Sequence, residues 1–210
     1  MGIGEARNKD QKSKMDTLNK VAEVIEASSA EFTAQCYKLD QSPVLGSLVK
    51  TQDDLGAIYG VVYNVETHSL EPGRRVVARG EEMKAQEEVF KANPQLSRLL
   101  STDFKVIIIG HMQGEKLYHY LPPKPVPIHG FVYTCQTEEI RAFTQSLDFL
   151  SLLVNAGLPV PVDEVVAACL RYASQAHSDS QAFLVKAGKE LAGIMSSDAG
   201  RLNSLLKRLK

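Results

Sequence analysis

Gly56 and Gly60, inside DDLGAIYGVVYNVET (residues 53–67), stand just ahead of the β-branched pair Val61-Val62. Glycines placed so are the raw material of a phosphate-binding turn. Such a turn needs G-x-x-x-x-G-K-[ST]: its glycines let backbone N–H groups wrap the phosphates, and its lysine reaches the β/γ oxygens. Gly56 and Gly60 are one residue too close, and Tyr59-Gly60-Val61 supplies no lysine. The only Gly-Lys pair, Gly188-Lys189, is followed by Glu190 within an amphipathic pattern, and no G-x-G-x-x-G occurs. The chain carries no recognisable nucleotide-hydrolysing machinery.

Other chemistries fare no better. Of five histidines, His111, His119 and His129 lie near one another in sequence. A hairpin turning at Gln113-Gly114 sets Ile109 opposite Tyr118 and Ile108 opposite His119, which sends His111 and His119 to opposite faces. Two such residues cannot share one ion. Cys36 and Cys135 fall in strand patterns, where a free cysteine behaves as a small buried hydrophobe. No G-x-S-x-G elbow is present. The acid pairs Glu81-Glu82 and Glu87-Glu88 sit side by side on a solvated helix rather than converging in an apolar cleft, as acid/base work demands. One compact basic cluster, Arg74-Arg75 with Arg79, is a candidate phosphate contact. It lacks the interleaved aromatics of a single-strand stacking platform.

Composition narrows the class. With 210 residues, 44% hydrophobic content and a net charge of −1, the chain can bury a real core. Its 24 basic and 25 acidic side chains create no overall field for nucleic acid or an anionic membrane. The basic end, Lys207, Arg208 and Lys210, suits a helix C-terminus. Three scattered cysteines, Cys36, Cys135 and Cys169, form neither a zinc motif nor a disulfide framework, which points to a reducing cytoplasm. No apolar run approaches the ~18 residues of a membrane span. The start lacks a signal-peptide core, and Ala6 stands where a myristoylation motif wants Ser or Thr.

The elements follow from periodicity. Residues 1–16 read as a flexible polar arm. VAEVIEASS and EFTAQCYKL are strand-like, the second alternating Phe32, Ala34 and Cys36 against Thr33, Gln35 and Tyr37. LGSLVKT, the stretch at 53–67 and the short run GRRVVARG continue the series. A charged helix led by Glu81, Glu82 and Met83 should stop before Pro94, with another turn over Gln95 to Leu100. KVIIIGH and KLYHY form a hairpin. LPPKPVPIHG cannot be a central strand, because four prolines lack the N–H a ladder needs. FVYTC closes the β region. From Thr137 the period lengthens. Ile140, Phe143, Leu147, Leu150 and Val154 predict one helix ended by Gly157. A second is capped by Asp163, a third carries Phe183 to Met195, and a fourth is capped by Asp198.

KVAEVIEASSAEFTAQC, then LGSLVKT, then GAIYGVVYNVE resembles the HAS barrel, the small β-barrel at the N-termini of HerA-type DNA translocases and ATP synthase rotary subunits. The matching residues are Glu31-Phe32, Leu45-Gly46 with Val49, and Gly60 with Val62, while Ala22 departs from the usual glycine. TDFKVIIIGHM and the later PPKPVPIHGFVY are similar to that family's last strand and Pro-rich exit. The resemblance covers residues 18 to about 135. It implies a barrel stripped of its motor, since the helices that follow are too few for an ATPase domain. It also implies that Gly56 and Gly60 serve barrel closure.

The expected fold class is α+β: a small closed β-barrel over 17–135, with a helical insertion near 81–100, followed by a helical module over 136–210. The helices should dock partly on the barrel. The expected function is non-enzymatic, an interaction or assembly factor using no cofactor. Its partner would be a protein, by family analogy a ring-shaped ATPase or another multisubunit complex; a homo-oligomer is compatible. The alternative is a nucleic-acid accessory protein using Arg74, Arg75, Arg79 and the basic end. Tyr118, Tyr120, Lys124 and Tyr133 are the candidate partner-binding residues around the Pro-rich segment, which reads either as a docking site or as a rigid strap on the barrel's outside. Calorimetry with Mg-ATP and a phosphate-release assay should both give nothing. Saturable turnover that vanishes on mutating Lys189 would overturn that expectation.

Overall fold

The computed structural model describes residues 20–52, 56–71, 73 and 75–209; the expected arm at 1–16 lies outside the described residues. Four strands come first: β1 (Lys20–Ala27), β2 (Glu31–Cys36), β3 (Leu48–Gln52) and β4 (Gly56–Ser69). Two short helices, α1 (Gln86–Ala92) and α2 (Leu96–Leu99), separate them from β5 (Leu100–Gln113), β6 (Lys116–Tyr118) and β7 (Phe131–Thr134). Five helices follow: α3 (Thr137–Phe143), α4 (Leu150–Val154), α5 (Val162–Ser174), α6 (Ser180–Ile194) and α7 (Ala199–Lys207). Antiparallel pairing runs β2-β1-β7-β3-β4-β5, and β2 pairs back to β5. The result is a closed six-stranded barrel with an inserted helical segment and a C-terminal helical module. β6 pairs with the end of β5, outside the ring.

Strand alternation fills the barrel. Ala22, Val24, Phe32, Ala34, Val49, Ile58, Val62, Phe104, Val106, Ile108 and Val132 all point inward and form one buried cluster. Side chains alone can plug a ring this narrow. Each large one stabilises the fold by about 1.5–3 kcal/mol.

The outward residues of the β3–β4–β5 wall are buried as well. Leu48, Tyr59, Val61, Ile107 and Ile109 lie in a second core with Phe143, Phe149, Leu150, Val166 and Leu170 of the helical module. Double-sided burial is why VIII in β5 is continuously apolar instead of alternating. A fastener reinforces the joint: Lys50 of β3 pairs with Glu139 of α3, and Glu139 also accepts from the Gln136 N–H in a capping box.

Three close approaches bring the strands and helices together. Gly60 sits at a β4 bulge, where a Cβ would stand 2.3 Å from Val106 Cγ1 and 2.7 Å from the Ile107 carbonyl oxygen. At Gly56 a Cβ would meet the Met112 carbonyl oxygen at 1.9 Å. Both glycines allow close contact between β4 and β5. Gly46 (φ +82°) lies on the backbone of α5, its absent Cβ 2.4 Å from the Ala168 carbonyl carbon, and its N–H donates to Val62 at 2.8 Å.

Several expectations are corrected. The hairpin pairs His111 with Tyr118 and turns at Gly114-Glu115, a two-residue shift made possible by the left-handed Gly114 (φ +61°). The predicted long helix is two short ones. All five of its apolar residues are buried, but Thr144 Oγ1 back-bonds to the Ile140 carbonyl at 2.6 Å and the chain turns before α4. Asn155, not Gly157, is the C-cap of α4. Pro161 is the N-cap of α5, leaving Asp163 in its first turn to pair with Arg201 at 2.8 Å. Asp198 does cap α7, accepting from the Arg201 N–H. The charged helix starts at Gln86 rather than Glu81 and ends before Pro94. The Pro-rich segment forms no strand, but it is not wholly external. Pro122 is buried, and Val126 belongs to the barrel's inner cluster.

Gly46→Ala and Gly114→Ala test the contact with α5. Gly114 has open space, so alanine there should cost only about 1 kcal/mol for the left-handed backbone. At Gly46 the collision adds to that strain, and the loss should reach about 3 kcal/mol. Guanidinium midpoints measure both. Equal losses would mean that the helix yields freely.

Candidate functional site

The β4–β5 ribbon outlasts the barrel. β2 pairs with β5 only from Asp103 to Ile107, whereas β4 pairs with β5 as far as Ser69 and Leu100. The projecting end carries the segment that holds α1 and α2. Neither helix buries a residue. Their apolar side chains Val89, Phe90, Leu96 and Leu99 instead line a cavity of about 650 Å3, shared with Leu100 and the stretch Arg75 to Glu81. Within that stretch Val76 and Val77 are 60% and 67% exposed, and nearby Leu70 is 50% exposed. GRRVVARG has strand composition, yet residues 75–80 enter no strand.

Arg75 and Arg79 sit on this cavity; Arg74 lies outside the described residues. Arg79 Nη1 donates to Asn93 Oδ1 at 3.3 Å. Neither arginine is ion-paired with a carboxylate among the described residues. At the basic end Arg208 pairs with Glu164 at 2.5 Å, and Lys210 lies outside the described residues.

The tyrosines are elsewhere. Tyr118 and Tyr120 surround the buried His111, with ring centroids 5.1 and 5.3 Å from it. His111 Nδ1 lies 3.2 Å from the Tyr120 carbonyl oxygen, so this cluster clamps the chain after β6 to the end of β5. Tyr120 keeps 55% exposure. Lys124 is exposed on the Pro-rich segment. Tyr133 belongs to β7, diametrically across the ring from β5, with Lys20 and Lys50 as its strand partners. The structure therefore brings Arg75 and Arg79 together, and Tyr118 with Tyr120, but does not join the two groups or add Tyr133 to either.

His119 faces away from His111. Its Nε2 lies 3.1 Å from the Phe143 carbonyl oxygen, and its ring packs against Phe143 and Phe149. Burial pushes its pKa below the usual value, opposed by Asp148 and the Phe143 carbonyl. A cleft of about 440 Å3 separates Tyr118, His119 and Tyr120 from Gln145, Ser146 and Asp148.

Sequence reading missed a polar belt on the barrel's outer wall. Ser101 Oγ donates to Asp103 Oδ1 at 2.6 Å, Gln35 Nε2 donates to Ser101 Oγ at 2.7 Å, and His68 Nε2 lies 3.6 Å from Asp103 Oδ2. The β2–β5 pairing brings in Gln35 and the β4–β5 pairing brings in His68, and no short-range signal encodes either. The carboxylate stands between serine and imidazole, so the imidazole does not face the Ser101 hydroxyl and the Ser-His-Asp order of a triad is not formed. Burial also disfavours the thiolate at all three cysteines. Burial and Asp103 push Cys36 up to about 11, burial pushes Cys169 up to about 12, and burial with Glu139 raises Cys135 further. Among the described residues no three His, Cys, Asp or Glu side chains are grouped to hold a metal, and no helix is long and apolar enough to cross a membrane.

No family model and no curated protein matches the chain.

Burial also lowers His177, helped by Arg141 and Lys186. A histidine whose folded pKa is depressed binds its proton more readily in the unfolded chain, so stability rises with pH there. That contribution is complete above the unfolded value of about 6.5 and is lost as pH falls toward the folded one. Thermal midpoints should therefore decline from pH 7.5 to 5.5, less steeply in His119→Gln/His177→Gln. Identical slopes would contradict the assignment.

Proposed function

We propose that this chain is a non-enzymatic interaction or assembly module whose barrel mounts the segment between β4 and β5 for a protein partner. The observation that carries this reading is the insertion's incomplete core: no residue of α1 or α2 is fully buried, with Val89, Phe90, Leu96 and Leu99 only partly covered, while Val76 and Val77 stand exposed beside an open apolar cavity. Exposed apolar patches of this kind mark docking sites in soluble proteins. The segment's ordering cost is not repaid by its own packing, so a partner's surface is the natural source of the missing burial.

The barrel resembles a HAS barrel in its motif order, which favours a ring-shaped ATPase or another multisubunit complex as the partner. That step is analogy. Three unpaired cysteines suit a reducing cytoplasm.

Replacing residues 71–98 with Asn-Gly tests the proposal. Ser69 and Leu100 are already paired, and Leu70 N–H donates to the Leu99 carbonyl at 2.9 Å, so a tight hairpin can close there. The shortened chain should keep its thermal midpoint within a few degrees. In the full chain, a photo-crosslinker at Val77 should trap a discrete partner in cells, while one at Val185, another exposed apolar position, should not. Equal trapping at both positions would reject the insertion as the docking element. If the shortened chain fails to fold, Val76→Asp/Val77→Asp carries the comparison.

A further inference from the structure

Residues 75–78 make no backbone hydrogen bond within the described chain. Strands β1 to β7 each pair with at least one neighbour, whereas this stretch pairs with none among the described residues although its central residues, Val76 and Val77, are β-branched. Five residues from Arg75 to Arg79 are the length of an ordinary strand. Its side chains already line an apolar cavity against Val89, Phe90 and Leu96. The stretch has a strand's composition and one wall of a core, and it lacks a neighbouring strand.

Charge decides which neighbour fits. If two copies of the chain paired antiparallel about Val77, Arg75 of each would face Arg79 of the other. Parallel pairing in register would face each arginine with itself. Like charges directly opposite destabilise a ladder, so self-pairing is disfavoured. Both guanidinium groups lack a carboxylate among the described residues. A strand with carboxylates four residues apart would meet both of them across the ladder. Glu81 lies two residues beyond Arg79, outside that register.

Resting on the interaction reading above, we propose that Arg75–Arg79 accepts an added β-strand from a protein partner, an extended segment of pattern acid-x-x-x-acid with β-branched residues between. Main-chain hydrogen bonds supply affinity and the two arginines set register and choice of partner.

The test uses the full chain and a fluorescent peptide, Ser-Glu-Val-Thr-Val-Glu-Ser, followed by anisotropy. Three controls accompany it: the same peptide with lysine for glutamate, the same peptide with alternate backbone nitrogens methylated, and the variant Arg75→Glu/Arg79→Glu. The acidic peptide should bind at least about fivefold tighter than the lysine peptide, as two exposed ion pairs warrant. Methylation should abolish binding, because it removes the ladder donors. The charge-reversed protein should prefer the lysine peptide. Equal binding of the methylated peptide would overturn strand addition in favour of side-chain insertion into the cavity. Equal affinity for both charges would overturn the acidic partner. No binding at millimolar peptide would overturn the site, while crosslinking from Val77 would still report independently on whether the insertion docks a protein.

Discussion

The wall formed by β3, β4 and β5 is apolar on both faces, and the rest of the structure answers that constraint. Val49, Val62 and Ile108 fill the barrel; Leu48, Val61 and Ile109, one residue away on the same strands, would face water without the helices. A sheet of this kind is stable only when covered twice. The C-terminal helices are therefore part of the barrel's own stabilisation, and separating them would expose one side of a shared core. Gly46 and the Lys50–Glu139 pair show how tightly the cover is fitted: one lets a loop lie against a helix backbone, the other ties the first helical turn to a strand.

The same wall explains why the projecting ribbon can serve as a mount. β4 and β5 are held along their inner halves by two cores, so their outer ends continue from an anchored base. The segment they carry has no comparable packing. This contrast in burial, within two strands of equal length, separates the part of the molecule that is self-sufficient from the part that offers itself.

Much of this was legible in the sequence, because local patterns encode local structure. Alternation in EFTAQC, the prolines that forbid a strand over 121–130, the change of period after Thr137 and the Asp198 cap all reappear. What could not be read was set by distant partners. Apolar spacing from Ile140 to Val154 named buried residues correctly without revealing that the helix stops at Thr144. Proline content suggested an external strap, but nothing local told Val126 to enter the barrel. The candidate site divided for the same reason. Tyr118 and Tyr133 flank one segment of sequence, yet ring closure puts their strands on opposite sides.

Closure itself has a consequence for how the molecule comes into being. The ring is sealed by β1 against β7, with Ala22 beside Val132, the earliest described strand beside the last. During synthesis β1 can pair with β2 at once, but its other edge must wait until nearly the whole β region has left the ribosome. Contacts between such distant residues are slow to form, because a long loop must close before they are rewarded. Throughout that interval β1 is an unprotected edge, and its lumen side chains Ala22 and Val24 have no enclosed interior to occupy. A chain built this way presents an open edge at β1 until β7 is available to cover it, and such edges are where incompletely folded chains associate.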